Sequence, residues 1–325
     1  MQKSCWQKHS MIFDKEEEKY MEQIVLIGFG AIGIPIAWHM NQCYGDRFAL
    51  VATGRRRQKM EKKHYWVNGT AFSPKIISTA EELEEKPSLA IICVKNYDIE
   101  SAIEDLRPVI VPGTILLPLQ NGIYAFQRFC EAFPENIVLK GYIQGPNTIM
   151  DGENLLFTNA GVTHIGASSY SGDDIVQHVY RLMHNSGLDV VVEADIDKMV
   201  WKKWMLNVAG NSVTALTGAD YSKFRTYEEL QTICRKSMRE FVKVAQAKEI
   251  PLSEEDIEDI IQYYVSYKGA KKTSMLEDVL HHRRTENEYL AGTLLQMAEK
   301  KQIPVPATET LYLLMKAKEE IYLNE

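Results

Sequence analysis

Apolar and polar positions follow two rhythms along the chain. From residue 22 to about 193, short apolar runs alternate with segments of helical spacing. The runs QIVLIG (23–28), FALVAT (48–53), LAIICV (89–94) and TILLPL (114–119) are rich in β-branched residues and are closed by Gly, Pro or polar residues, which predicts buried strands. Helical spacing begins at Ala31, Asp98 and Ile123. Alternation of this kind implies a parallel sheet with helices on both faces. A later group of short runs, NIVLKGYI, NLLFTN and VTHIG, is joined by tight turns at MDGEN and NAG and ends in DVVVE (189–193). It predicts an antiparallel extension of the sheet.

After Glu193 helical patterns dominate. Asp195 can cap the start of one helix and Thr217-Gly218 can stop it, Ser253 and Asp256 have capping-box spacing, and Pro251, Pro304 and Pro306 mark further breaks. At 325 residues two domains are the natural expectation. The fold class expected is α/β: a parallel-sheet domain with helices on both faces over 21–193, then an all-helical domain over 194–325. Residues 1–20 form an N-terminal extension with no secretory-signal pattern, read either as a solvated helical appendage or as lying upstream of a start at Met21.

One helical segment breaks its apolar pattern. In MVWKKWMLNVAGNS (199–212), Lys203, Asn207 and Asn211 fall four apart on one face, while Trp201, Trp204, Met205 and Val208 turn another way. Buried polar groups need partners, so the stripe either meets solvent or lines a ligand site. Lys202 is expected to face solvent or an acidic neighbour.

Composition narrows the class of function. Apolar residues at 45%, charged residues at 25% and a net charge of −7 suit a soluble globular protein and argue against a nucleic-acid or membrane-surface partner. No apolar run approaches the roughly 20 residues of a membrane span. Five cysteines without C-x-x-C spacing give neither a zinc frame nor a disulfide scaffold, so no metal and a cytoplasmic location are expected.

The chemistry-bearing motif of the first half is VLIGFGAIGIPIA. Gly28, Gly30 and Gly33, with Ala31 and Ile32 between them, have G-x-G-x-x-G spacing at a strand-to-helix turn, where such glycines cradle a pyrophosphate. An NAD site usually carries Asp or Glu after the second strand; here FALVAT runs into GRRRQK. Guanidinium groups there pair with a 2′-phosphate, which favours NADPH and points to Arg55 and Arg56. The plainer alternative is a solvated basic loop, since Arg55, Arg56 and Arg57 cannot all reach one phosphate. Lys95 and Asn121 follow the third and fourth strands on the edge where open α/β sheets bind ligands, and are candidates for cofactor or substrate contact.

In this order and spacing, GFGAIG, VKNYD, LQNGI, WKKWMLNVAGNSVTALTG and TSMLEDVLHHRRTENEYLAG resemble the ketopantoate reductase (2-dehydropantoate 2-reductase) family from about residue 22 to the C-terminus. The resemblance implies a cleft between a Rossmann domain and a helical domain, and NADPH-dependent reduction of ketopantoate to pantoate on the way to pantothenate and coenzyme A. It places Lys203 and Glu286 at the catalytic positions. Asn121, Asn207, Asn211 and Ser274 fall at substrate-contacting positions, and Arg55 and Lys95 at NADPH-contacting ones. The expected chemistry has protonated Lys203 aimed at the ketone oxygen, with Glu286 orienting it or accepting from a substrate hydroxyl and Ser274 holding the carboxylate end. The plainer readings are a snorkelling surface lysine and, beside Arg283 and Arg284, an exposed ion pair.

Two departures bear on the substrate. Relatives often read NPLTAL where this chain has NSVTAL, and TNGEL where it has DYSKF (220–224), which puts Tyr221 in place of an asparagine. A reductase of another branched-chain 2-oxo acid is therefore the nearest alternative, and a non-catalytic NADP-binding regulatory protein is the alternative from another class. A homodimer is the expected assembly.

Overall fold

The computed structural model describes residues 22–168 and 171–325; the N-terminal extension lies outside the described residues. The first half opens with β1 (Gln23–Ile27), α1 (Gly33–Tyr44), β2 (Phe48–Val51) and α2 (Gly54–Glu61). A hairpin, β3 (Tyr65–Val67) and β4 (Thr70–Phe72), precedes β5 (Lys75–Ile77), β6 (Pro87–Ile92), α3 (Ile99–Leu106), β7 (Ile115–Pro118) and α4 (Tyr124–Ala132). Strands β5-β2-β1-β6-β7 form one five-stranded sheet, parallel throughout. The order reverses between β1 and β6, so the crevice at their carboxyl ends is the position where such sheets take a ligand.

Alternation along the strands builds two cores. Ile24 and Leu26 face α1 and α5 (Asp173–Asn185), where Ile34, Val176 and Met183 are buried; Val25 and Ile27 face α3 and α4, where Ile103 and Phe129 are buried. A Phe129→Ala change would remove one of the largest side chains of the second core and cost about 3–5 kcal/mol.

The expected antiparallel extension is corrected by the pairing. Strands β8 (Lys140–Gln144), β11 (Val162–Gly166) and β12 (Asp189–Val192) form a separate three-stranded sheet, ordered β12-β11-β8, in which β12 runs parallel to β11. It meets the main sheet through a single bridge between Leu116 and Val138. Strands β9 (Asn147–Asp151) and β10 (Asn154–Asn159) leave it and join β3 and β4 in a sheet ordered β4-β3-β10-β9.

The second half is helical: α6 (Ile196–Leu206), α7 (Ser212–Thr217), α8 (Glu228–Gln246), α9 (Glu254–Ser266), α10 (Ser274–Leu280), α11 (Thr293–Lys300) and α12 (Pro306–Asn324). The caps fall where the sequence puts them. Asp195 accepts from the Lys198 N–H, Gly218 takes the left-handed conformation after α7 (φ 75°), and Ser253 and Asp256 close a capping box on α9. Helices α6 and α7 are one continuous rod, joined by a π-helical turn over Asn207–Asn211. A Cβ at Gly210 would lie 1.9 Å from Tyr264 Oη, which itself donates to the Leu206 carbonyl (3.0 Å). The tyrosine thus wedges the rod open at a position that only glycine fits. Ile123 and Tyr142 of the first half are buried in the same core as Trp204, Phe241 and Tyr264. Among the described residues no helix is long and apolar enough to cross a membrane.

Candidate active site

The glycine turn sits at the sheet's switch point. Gly28 (φ 101°) leaves no room for a side chain, since a Cβ there would lie 2.4 Å from the Cys93 carbonyl carbon and the Val94 nitrogen; one at Gly33 would lie 1.8 Å from the Gly28 carbonyl oxygen. At Gly30 a Cβ would meet nothing within 4 Å. Close packing on two glycines and open space over the third is the shape a pyrophosphate needs at the start of α1, with Ala31 and Ile32 supplying backbone at its lip. Thr148 of β9 donates to the Ala31 carbonyl (2.7 Å), so the β9–β10 hairpin stands beside the turn.

The three arginines after β2 separate. Arg57 is spent on structure: it pairs with Glu61 (2.7 Å) and Glu82 (2.8 Å) and donates to Ser78 Oγ (3.0 Å). Arg55 and Arg56, in the first turn of α2, are exposed and make no ion pair among the described residues.

Across the cleft, Lys203 is half-buried on α6 and also makes no ion pair among the described residues. Burial, reinforced by the charge of Lys271, lowers its ammonium to about pKa 8. Asn207 and Asn211 are buried and touch at 3.5 Å, Nδ2 of Asn211 to Oδ1 of Asn207. The Asn207 Nδ2 is buried without a partner, a donor in want of an acceptor. Lys202 turns away to Asp259 (2.7 Å) and Asp256 (3.1 Å), the acidic neighbours expected for it.

Glu286 is buried, and its expected contact with Lys203 is not made. Its Oε1 accepts from the Asn96 N–H and from Asn96 Nδ2, both at 2.9 Å, and its Oε2 lies 3.7 Å from Lys95 Nζ. These donors satisfy a carboxylate that would be costly to bury alone. Lys95, expected beside the cofactor, is held by Asp278 (3.0 Å) as well as Glu286. Burial works to lower its pKa, but the two carboxylates outweigh it and the value is raised. Asn121 is half-buried, and its carbonyl accepts from Asn96 Nδ2 (3.1 Å). The next residue, Gly122, packs against Leu290 and Trp204, with Trp204 donating to the Leu290 carbonyl (3.3 Å).

Ser274 is not brought into this cluster. It is exposed at the first residue of α10, and its neighbour Thr273 does the capping, accepting from the Leu276 N–H (3.2 Å) and bonding Thr214 (2.7 Å). Tyr221 is buried among Tyr263, Tyr264 and Tyr267, with ring centroids 5.1–5.8 Å away. Asn96 and Asp278 contact these candidate residues and the charge of Lys271 acts on Lys203, but none of the three was singled out from the sequence. Their signal was present in VKNYD and TSMLEDV, where the first two sit inside the quoted motifs.

Comparison with known proteins matches the chain to a family. The model described as "Ketopantoate reductase PanE/ApbA" matches residues 24–169, and that described as "Ketopantoate reductase PanE/ApbA C terminal" matches 195–319. The chain belongs to the ketopantoate reductase family. Membership makes it an oxidoreductase that uses a nicotinamide dinucleotide. A 2-dehydropantoate 2-reductase from Aquifex aeolicus is 24% identical over 310 residues, 93% of this chain and 99% of that protein. A dimeric ketopantoate reductase from Staphylococcus aureus superposes with a TM-score of 0.74 at 22% identity, covering 92% of this chain and 99% of the other. D-mandelate dehydrogenase, solved with NADH and anilino(oxo)acetate, superposes with a TM-score of 0.78 at 21% identity over 92% of this chain and 99% of that one.

Proposed function

We propose that the chain reduces ketopantoate to pantoate with NADPH, with its active site in the cleft between the halves that divide near residues 193–195. The observation that carries the reading is Lys203: a half-buried ammonium, unpaired among the described residues and lowered to about pKa 8, one helical turn from Asn207, whose buried Nδ2 has no partner among the described residues. A surface or structural lysine has a counter-ion or free solvation. This one is poised to give up a proton near neutral pH.

The dinucleotide fits the turn at Gly28, Gly30 and Gly33, and Arg55 and Arg56, exposed and without an ion pair among the described residues, offer guanidinium groups for a 2′-phosphate. When bound, it supplies the hydride for the substrate's carbonyl carbon. Lys203 stabilises negative charge developing on the ketone oxygen and donates a proton there, which completes the alcohol. Asn207 and Asn211 donate to the substrate, and Asn121 positions it from the opposite side of the cleft. Glu286, fixed by Asn96, accepts from a substrate hydroxyl through Oε2. Ser274, exposed at the first residue of α10, meets the carboxylate end of the substrate from the solvent side.

Tyr221 favours a second reading, a different branched 2-oxo acid. Its buried ring replaces a polar contact with an aromatic wall. The dimeric relative supports a homodimer, and the free thiols of Cys43, Cys93, Cys130 and Cys234 suit a reducing cytoplasm. The test is NADPH oxidation by the purified protein across a panel of 2-oxo acids. Fastest turnover on ketopantoate is expected, with Lys203→Ala losing several orders of magnitude in turnover and retaining NADPH affinity. Turnover in that variant equal to the parent's would refute the assignment of Lys203.

A further inference from the structure

Asn96 stands out among buried polar groups because three parts of the molecule meet on it. It follows Lys95 in the loop after β6 and is only 1% exposed. Its backbone N–H and its Nδ2 both donate to Glu286 Oε1, 190 residues away, at 2.9 Å each. The same Nδ2 donates to the Asn121 carbonyl at 3.1 Å. Because both neighbours of that side-chain atom are acceptors, the amide can sit only one way round. Its Oδ1 is left buried with no partner among the described residues. An orphaned buried acceptor is unfavourable, a penalty that an apolar side chain filling the same space would not carry, so packing alone does not explain the residue.

We propose that Asn96 is the positioning residue of the site: it fixes Glu286 of the helical half against the Asn121 loop of the sheet half. The inference rests on the reading of Glu286 as an active-site group. The geometry dictates which oxygen acts. Two donors saturate Oε1 and aim the carboxylate, so Oε2, flanked among the described residues by Lys95 at 3.7 Å, is the atom left to meet substrate. Holding the Asn121 carbonyl with the same amide fixes the spacing between Asn121 and Glu286 from one point. Loss of the side chain leaves the backbone bond to Glu286 but removes both side-chain bonds, so Glu286 stays nearby with its aim loosened and Asn121 is released.

A double-mutant cycle tests this on the full chain, using Asn96→Ala, the isosteric Asn96→Asp, Glu286→Ala, which removes the acceptor, and the Asn96→Ala/Glu286→Ala pair. Each protein is assayed for kcat and KM with the best 2-oxo acid, for NADPH affinity by fluorescence, and for its unfolding midpoint. Asn96→Ala is expected to lose 10- to 100-fold in kcat/KM with NADPH affinity within threefold of the parent. Asn96→Asp, which keeps the volume but sets an acceptor against Glu286, should lose at least as much. In the Glu286→Ala background, Asn96→Ala should cost less than threefold more. The unfolding midpoints should also be non-additive, the pair falling little further than the worse single variant. Equal losses from Asn96→Ala in both backgrounds, or a fully active Asn96→Asp, would overturn the proposal. If the parent reduces no 2-oxo acid, the functional reading fails by itself. The stability cycle then still decides whether Asn96 holds Glu286: additive midpoints reject the contact and non-additive ones support it.

Discussion

Replacing Lys203 by methionine should stabilise the protein while destroying its activity. Methionine keeps the long stem of the lysine and deletes the ammonium. The lowering of the Lys203 pKa from 10.5 to about 8, at 1.36 kcal/mol per tenfold in proton affinity, places roughly 3 kcal/mol of unfavourable free energy on the charged form in the folded state. Lys203 keeps some solvent contact, and allowing for screening the expected gain is about 1–3 kcal/mol at pH 7. The sign follows from proton uptake. Below pH about 8 the lysine is charged in both folded and unfolded chains, and the penalty is fully present. Between about 8 and the ordinary lysine value near 10.4 the unfolded chain holds more protons, so the parent grows more stable as pH rises, while the methionine variant lacks this slope. The assay is urea unfolding of both proteins at pH 7 and pH 10, followed by the fluorescence of Trp201 and Trp204, which flank the position on α6. Other titrating groups are common to both proteins and cancel in the difference. A variant more stable at pH 7, with its advantage shrinking at pH 10, is expected. A pH-independent difference, or a variant less stable at pH 7, would show that Lys203 is not a desolvated cation.

The pH profile of turnover follows from the same group. With Lys203 as proton donor, kcat/KM for reduction should fall as pH rises through about 8, and the residual activity of Lys203→Ala should lack that limb. Replacing Arg55 and Arg56 together by alanine should weaken NADPH at least tenfold and NADH hardly at all, as read by fluorescence titration; equal losses would remove the 2′-phosphate argument. Arg57→Ala should leave the preference between the two dinucleotides unchanged and lower stability by about 1 kcal/mol or less, because its pairs with exposed Glu61 and half-buried Glu82 lie at the surface. Gly210→Ala drives a methyl into Tyr264 Oη and should cost about 2–3 kcal/mol in urea unfolding; a cost below about 0.5 kcal/mol would show that the tyrosine yields freely.

How far the sequence reveals the molecule depends on the range of the interaction concerned. The parallel strands were legible because each is a continuous apolar run, and the helix caps because Asp195, Ser253 and Gly218 act on residues within one turn of themselves. The hairpin of β3 and β4 carried a local signal as well. Asn68-Gly69 supplies the two positive φ angles, 48° and 79°, of a tight two-residue turn. What no local pattern encodes is that β10, some ninety residues later, pairs parallel with β3 and pulls β9 and β10 out of the expected extension.

The candidate site divides in the same way. Lys203, Asn207 and Asn211 could be read as a stripe because four-residue spacing is a property of one helix, even though a π turn then shifts its pitch. Arg55 and Arg56 were legible as candidates, but what sets Arg57 apart is Glu82, which lies in another loop. Glu286 was legible as a residue but not as a contact. From its chain neighbours Arg283 and Arg284 it could be a surface ion pair, whereas Arg283 bonds Asp278 (2.9 Å), Arg284 lies over the Tyr97 ring (5.2 Å), and Glu286 turns inward to Asn96. The roles that sequence leaves open are therefore those set between the two halves. A substitution in the loop after β6 should act on Glu286, on the opposite wall of the cleft, more strongly than any change among the nearer charges of its own segment.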